Sequence, residues 1–341
     1  SLAVAGGTLT LTGTNTYTGG TTISGGTLAL NGTGSLALSS GITDNGIFDI
    51  SQSSGPVSIA NLTGTGTASL GANQLKITAA SGGFSGVLQD GGIGGGAGGN
   101  LDVSGTGIFT LSGLSTYSGG TIVESGETLQ AGSGGAFGTG TVSVLSGGAL
   151  DLKGNSIANT LSLNGSGPGG NSYALTNSIA NAAIASGSIT LLGATTIGGS
   201  NGQITLSGVI SSASSGTYGI TKAGTGTLTL SGANTYTGGT TISGGVLSVS
   251  SGGLSGSNLS TGTVTLSGGT LLGNVTTTTT PISNNITLSG TGGELAAGSG
   301  LSVTYSGQIG GSGPLTVGDA LNSGTVIFSG SNTYSGTTTC L

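Results

Sequence analysis

Two aspartates five residues apart are the first candidates for chemistry in this sequence. Asp44 and Asp49 lie on either side of Asn45-Gly46, and paired carboxylates are the groups with which glycoside hydrolases transfer protons or attack the sugar. The same spacing also suits a turn, because aspartates hydrogen-bond to nearby backbone amides in turns. We favour the turn, and we predict no catalytic residue and no enzymatic activity.

A glycine-rich run from Gly91 to Gly99 is similar to two kinds of ligand loop. It lacks the Gly-Lys-Ser/Thr step of a phosphate loop. Asp90 and Asp102 lie outside the run, whereas calcium-binding β-roll repeats carry an aspartate within each repeat. We therefore interpret the run as a turn that protrudes from the fold. A further segment, 198–202, matches G-x-S-x-G, but that nucleophile motif needs a histidine, which the sequence lacks.

The composition excludes several classes of function. With no histidine, neither a Ser-His-Asp triad nor a histidine-ligated metal or haem is available. The basic residues are Lys76, Lys153 and Lys222, too few to neutralise the phosphates of a nucleic acid. No apolar run reaches the roughly 18 residues of a membrane span, and the lone Cys340 permits no internal disulfide. We predict no cofactor, no metal, no nucleic-acid partner and no membrane insertion.

These few groups are set in a strongly repetitive chain. One block containing the pattern Asn/Ser-Thr-Tyr-Thr/Ser-Gly recurs four times, at 8–30, 108–130, 227–249 and, shortened, 326–341. Each copy holds one tyrosine, which we expect to pack at a corner rather than to form a ligand-stacking row; these repeat-marker residues are Tyr17, Tyr117, Tyr236 and Tyr334. Glu124 and Glu127 occupy a turn that is Ser24-Gly25-Gly26 in the first copy, and we expect this turn to be solvated.

Short strands are expected throughout the chain. Apolar and hydroxyl side chains alternate with a period of two, as in Leu161-Ser162-Leu163 and Ile204-Thr205-Leu206, and turns rich in the 78 glycines separate these runs. The pattern predicts an all-β protein, a right-handed parallel β-helix (β-solenoid) of roughly 16 coils. We expect one continuous solenoid over 1–341, with super-repeats at approximately 1–107, 108–226 and 227–325 and a partial unit at 326–341.

The four blocks resemble the passenger-associated transport repeat, also called the autotransporter-associated β-strand repeat. That family has the pattern GGTLTLSGANTYTGGTTI followed by a glycine-rich turn and a further strand. Gly224 to Leu247 matches almost throughout and Gly6 to Leu28 nearly as closely, whereas Gly105 to Leu129 departs at Leu114-Ser115 and at Glu124. The resemblance implies a secreted or surface-exposed passenger of a Gram-negative bacterium, often an adhesin or a stalk.

A structural role outside the cell is therefore the expected function. We predict a β-solenoid stalk or fibre-forming subunit of a secreted passenger. The chain starts and stops within repeats and shows no polar cap, so we expect copies to associate end to end into filaments. The alternative is an adhesin that binds glycan or host matrix along one solenoid face. An ice-binding surface, with Thr-x-Thr steps such as Thr276 to Thr278, and a glycan-cleaving β-helix are further alternatives.

Overall fold

The chain forms two compact units. The computed structural model describes residues 1–169, 173–199, 202–214, 216–250, 258–274 and 281–341. The first unit comprises Ser1–Ser162 and Ser166–Ser172, and the second comprises Leu163–Gly165 and Tyr173–Leu341. Within the described ranges the regular structure consists of strands, and no helix is present that is long and apolar enough to cross a membrane.

Short parallel strands build the first unit, because its apolar-hydroxyl alternation favours strands and its glycines interrupt them. The bounds are β1 Leu2–Val4, β2 Thr8–Leu11, β3 Thr21–Ile23, β4 Thr27–Gly32, β5 Ile42–Asp44, β6 Ile47–Ser53, β7 Val57–Ile59, β8 Leu62–Gly64, β9 Thr67–Ser69, β10 Gln74–Ile77, β11 Gly82–Phe84, β12 Val87–Gln89, β13 Asn100–Val103, β14 Ile108–Leu111, β15 Thr121–Val123, β16 Thr128–Ala131, β17 Val142–Val144 and β18 Ala149–Asp151. Three parallel ladders result: β2-β4-β6-β9-β12, β1-β3-β5-β8-β11-β14-β16-β18 and β7-β10-β13-β15-β17.

The strands from residue 161 onward follow the same pattern. Their bounds are β19 Leu161–Gly165, β20 Leu175–Thr176, β21 Ala183–Ala185, β22 Ile189–Gly198, β23 Ile204–Leu206, β24 Ile210–Ser212, β25 Ile220–Ala223, β26 Thr227–Leu230, β27 Thr240–Ile242, β28 Val246–Ser250, β29 Val264–Leu266, β30 Thr270–Asn274, β31 Ile286–Leu288, β32 Gly293–Ala297, β33 Ser302–Tyr305, β34 Ile309–Gly311, β35 Leu315–Val317, β36 Thr325–Phe328 and β37 Thr338–Cys340. The second unit has two long parallel ladders, β21-β23-β26-β28-β30-β32-β35-β37 and β22-β25-β27-β29-β31-β34, and β33 pairs with β36.

The core consists of columns of aliphatic side chains, one from each rung. In the second unit, Leu228, Leu247, Leu271 and Leu295 are register partners on successive strands, and each is at most 1% exposed. Full burial of a leucine side chain is worth about 1.5–3 kcal/mol. Because every rung repeats this burial, the alternating sequence stabilises the stack without a large core at any one level.

Glycines line the corner at which the chain passes from one ladder to the next, as between β5 and β6 and between β8 and β9. A Cβ atom on Gly46 would lie 2.7 Å from the carbonyl oxygen of Gly26, and one on Gly66 would lie 2.5 Å from that of Gly46. These distances are closer than a real Cβ atom tolerates, so the corner closes only with a glycine in each rung. This stacking requirement accounts for part of the high glycine content.

The parallel stacking within each unit confirms the predicted all-β solenoid. Over the described residues, the two units together have about 15 turns, close to the roughly 16 expected from the repeat length. The right-handed winding, the single continuous solenoid over 1–341 and the super-repeat boundaries stay predictions.

Candidate functional site

Each repeat-marker tyrosine is hydrogen-bonded to the threonine four residues later. The Oη to Oγ1 distances are 2.8 Å for Tyr17–Thr21, 2.5 Å for Tyr117–Thr121, 2.7 Å for Tyr236–Thr240 and 2.7 Å for Tyr334–Thr338. Tyr117 and Tyr236 are fully buried, whereas Tyr17 and Tyr334 are half-buried. The block Tyr-x-x-x-Thr thus closes a loop of the chain onto the start of the next strand.

Burial sets the protonation state of the two fully buried tyrosines, Tyr117 and Tyr236. It raises the pKa of Tyr117 and of Tyr236 far above the ordinary value, and the threonine hydrogen bond only partly opposes the shift. The phenols therefore stay neutral. Among the described residues the ring pair within stacking distance is Tyr305 with Phe328, whose centroids are 6.3 Å apart. The marker tyrosines thus share a local contact rather than a common ring surface.

Asp49 anchors the glycine-rich run to the solenoid. Its Oδ2 accepts a hydrogen bond from the Ile93 amide at 2.7 Å, and its Oδ1 accepts from the amide and hydroxyl of Ser51 at 2.8 and 2.6 Å. The Ser51 hydroxyl oxygen in turn accepts from the Gly94 amide at 2.7 Å. Both oxygens of this buried carboxylate are occupied by contacts that hold the loop.

Asp90 anchors the far end of the same run. It accepts hydrogen bonds from the amides of Gly98 and Gly99 at 3.2 and 2.9 Å and from the hydroxyl of Ser118 at 2.6 Å. Burial alone raises the pKa of Asp90, but these hydrogen bonds outweigh it and hold the pKa below the ordinary value. The run that we interpret as a protruding turn is therefore held to the solenoid at both ends.

Asp44 does not share an environment with Asp49. It ends β5, whereas Asp49 lies within β6 on a different ladder. Asp44 is fully buried, its Oδ1 accepts from the Gly46 amide at 3.1 Å, and its Oδ2 has no hydrogen-bond partner. Burial raises the pKa of Asp44 from 3.8 to about 6, against the opposing effect of the Gly46 and Phe48 amides. The structure gives the two carboxylates separate partners and separate electrostatics.

Glu127 contradicts the expectation of a solvated turn. Its side chain is fully buried, and neither carboxylate oxygen has a hydrogen-bond partner. Burial raises the pKa of Glu127 from 4.5 to about 7, although the amides of Gly107 and Thr128 oppose the shift. The second repeat inserts one residue in this turn relative to Ser24-Gly25-Gly26, and the inserted residue turns inward.

Lys222 is a buried charge on β25, in the rung before the third repeat block. It is the register partner of Ile197 and Ile242, and it is 1% exposed. Its Nζ donates to the carbonyl oxygens of Ala223, Gly224 and Gly244 at 3.0, 2.9 and 2.9 Å. Burial lowers the pKa of Lys222 from 10.5 to about 8. The sequence carries a signal for this burial, since the alternation of Ile220-Thr221-Lys222 places a lysine at an inward position.

Three of the remaining charged side chains form an ion cluster across successive rungs of the first unit. Lys76 Nζ lies 2.8 Å from Asp102 Oδ2 and 3.7 Å from Glu124 Oε1. The hydrogen bond from Lys76 to Asp102 is the main cause that raises the pKa of this lysine. Asp90 and Asp102 thus have different partners, and the described residues contain no cluster of three or more acidic, histidine or cysteine side chains able to hold a metal.

Two motifs from the sequence fall outside the described residues in whole or in part. Ser200 and Asn201 of the G-x-S-x-G match are not described, and neither is the Thr276 to Thr278 step. Cys340 is exposed on β37.

Comparison with known families matches the repeats in this geometry. A family model described as Passenger-associated-transport-repeat matches residues 6–30, 101–131, 220–249 and 321–339, and each match contains one tyrosine-threonine pair. The chain carries passenger-associated transport repeats. These repeats and the solenoid suggest an autotransporter passenger-type structural domain, and the repeat family implies a secreted or cell-surface bacterial protein. Searches of curated proteins and of solved structures find no match.

Proposed function

We propose that this chain is a non-enzymatic stalk or fibre segment of a passenger on the surface of a Gram-negative bacterium. The observation that supports the proposal best is how its scarce charges are used. Asp49 and Asp90 hold a loop, Lys222 satisfies three carbonyl groups, and Lys76 pairs with Asp102. Each of these contacts joins one rung to another or closes a turn, so the charges serve the fold.

End-to-end association of copies is part of this proposal. At the end rung of a parallel solenoid, one edge of each strand is left without a neighbouring strand. A strand edge of this kind presents backbone groups that can pair with a further parallel strand. A second copy that supplies that strand makes a head-to-tail contact, which does not close and so extends into filaments.

Two lysine variants test the association. Thr338 lies in the inward column with Leu315, and Thr339 lies in the outward column with Thr316. We expect the unmodified chain to sediment faster as its concentration rises and to show end-to-end assemblies in electron micrographs. Thr338→Lys should abolish this association, because a docked rung would bury the charge, whereas Thr339→Lys should leave most of it intact. A chain that stays monomeric at high concentration, or equal association of both variants, would contradict the proposal.

An adhesin is the second candidate, and one surface feature favours it. Five threonines are register partners on successive strands of the second unit and stand on the outward side of one ladder: Thr196, Thr221, Thr241, Thr265 and Thr287. Hydroxyl groups repeated at the roughly 4.8 Å strand spacing could contact a polysaccharide. Binding of a glycan to this face would favour an adhesin over a spacer, and ice-growth inhibition would favour the ice-binding alternative.

A further inference from the structure

Asn-Gly steps are chemically special places in a protein chain. The glycine amide nitrogen can attack the asparagine side-chain carbonyl, because glycine has no Cβ to obstruct the approach. The sequence has four such steps, which begin at Asn31, Asn45, Asn164 and Asn201, and Asn201 lies outside the described residues. The structure distinguishes Asn45-Gly46 from the two other described steps.

A carboxylate contacts the nucleophile of this step. The Gly46 amide donates to Asp44 Oδ1 at 3.1 Å, and Asp44 is fully buried with its Oδ2 unpartnered. A base must lie within hydrogen-bonding reach of the proton that it removes. Asp44 meets this requirement for the Gly46 N–H.

Two donors contact the carbonyl that is attacked. Asn45 Oδ1 accepts hydrogen bonds from the amide of Thr65 at 3.1 Å and from its hydroxyl at 3.2 Å. Donors in this position stabilise the negative charge that develops on a carbonyl oxygen in the tetrahedral intermediate. The corner therefore holds a nucleophile, a base, an electrophile and oxyanion donors within one turn and its neighbour in the next rung.

We propose that Asn45-Gly46 is a self-modification site, at which Asp44 and Thr65 promote cyclisation of the asparagine to a succinimide. The Gly46 nitrogen bonds to Asn45 Cγ, and its proton passes to Asp44. The Cγ–Nδ2 bond then breaks, and the nitrogen takes up that proton and leaves as ammonia. Solvent water opens the ring at either carbonyl, which yields an aspartyl or an isoaspartyl residue at position 45.

The surroundings make such a change consequential for the fold. A Cβ atom on Gly46 would lie 2.7 Å from the Gly26 carbonyl oxygen and 2.9 Å from Ile23 Cγ2. An isoaspartyl linkage adds one carbon to the backbone at this tightly packed corner, and both products place a new carboxylate beside the buried Asp44. Modification therefore loosens the turn between β5 and β6. The change is irreversible, because no step restores the amide.

The other Asn-Gly steps supply internal references. Asn31-Gly32 ends β4 and Asn164-Gly165 ends β19, and the described hydrogen bonds of Gly32 and Gly165 include no carboxylate acceptor. Peptide mass spectrometry of the full chain, incubated at neutral pH, measures ammonia loss and acid formation at all three asparagines. We expect Asn45 to react roughly a hundredfold faster than the references, which is the lower end of general-base assistance.

Two variants distinguish catalysis of the cyclisation by Asp44 and Thr65 from a rate that depends only on the flexibility of the turn. Asp44→Asn removes the base at nearly constant shape and should lower the Asn45 rate to that of Asn31. Thr65→Val removes one donor from an exposed side chain and should slow Asn45 severalfold, while Thr63→Val, which does not touch Asn45, should change nothing. If Asp44→Asn unfolds the chain, all three asparagines will react alike. The comparison of Thr65→Val with Thr63→Val then tests the proposal. An Asn45 rate no faster than the references, or unchanged by Thr65→Val, overturns the proposal.

Discussion

Replacing Tyr236 with alanine is expected to lower the free energy of unfolding by about 3–5 kcal/mol, the usual loss for a large buried aromatic. The ring is fully buried, so its removal leaves a cavity between rungs. The change also leaves the hydroxyl of Thr240, itself 2% exposed, without its phenol partner. Denaturant unfolding followed by circular dichroism measures the loss.

Two variants distinguish packing from hydrogen bonding at this position. Tyr236→Phe keeps the ring and removes only the hydroxyl, so it should cost about 1 kcal/mol. Tyr334→Ala changes the same motif where the tyrosine is half-buried and Thr338 is exposed, and it should cost much less than Tyr236→Ala. Equal losses for Tyr236→Ala and Tyr334→Ala would show that the marker tyrosines do not act through burial.

The stability of the first unit is expected to fall as pH rises from 4.5 to about 7, because of Glu127. The pKa of Glu127 is raised from 4.5 to about 7 in the folded chain, so between these values the folded state holds a proton that the unfolded state has released. Stability therefore decreases with pH across this window and changes little above it. At about 1.4 kcal/mol per pH unit, the total is on the order of 3 kcal/mol. Asp44, whose pKa is raised from 3.8 to about 6, adds a similar trend at lower pH.

Glu127→Gln tests this dependence directly. The amide has the size of the acid and no charge, so the variant should be more stable than the parent chain at pH 8 and indistinguishable from it near pH 4. Glu124→Gln is the matched control three residues earlier, where the side chain is about one-third exposed, and we expect it to change stability little at any pH. A Glu127→Gln chain that is less stable at pH 8 would contradict the burial of an unpartnered carboxylate.

Much of the fold was predictable from the sequence, because stacking makes the local pattern repeat. The alternation in runs such as Ile204-Thr205-Leu206 assigns one face of each strand to the core, and glycine-rich turns separate many of the strands. The four tyrosine-containing blocks can be recognised in the sequence because they too repeat. Their hydrogen bond to the threonine four residues later is a local contact, but its geometry needs the loop conformation, which the pattern alone does not give.

The buried charges were not predictable in the same way. Glu127 belongs to a turn that is glycine-rich in the first and third repeats, and its inward direction depends on the corner formed with the preceding rung. Lys222 stands at an inward position of the alternation, yet its carbonyl partners include Gly244, which lies 22 residues away. Likewise, Asp49 contacts the amide of Ile93, 44 residues away. Such contacts depend on which residues the winding stacks, and a residue pattern does not specify that.

Hydrogen exchange of the full chain, alone and with a panel of polysaccharides, distinguishes a solenoid that is a scaffold from one that is a binding surface. For a scaffold, we expect slow exchange of the ladder strands in both units, including β22-β25-β27-β29-β31 with its outward threonines, and no change when polysaccharide is added. New protection that appears along that ladder on addition of a glycan, or ladder strands that exchange as fast as an unfolded chain, would contradict the scaffold role.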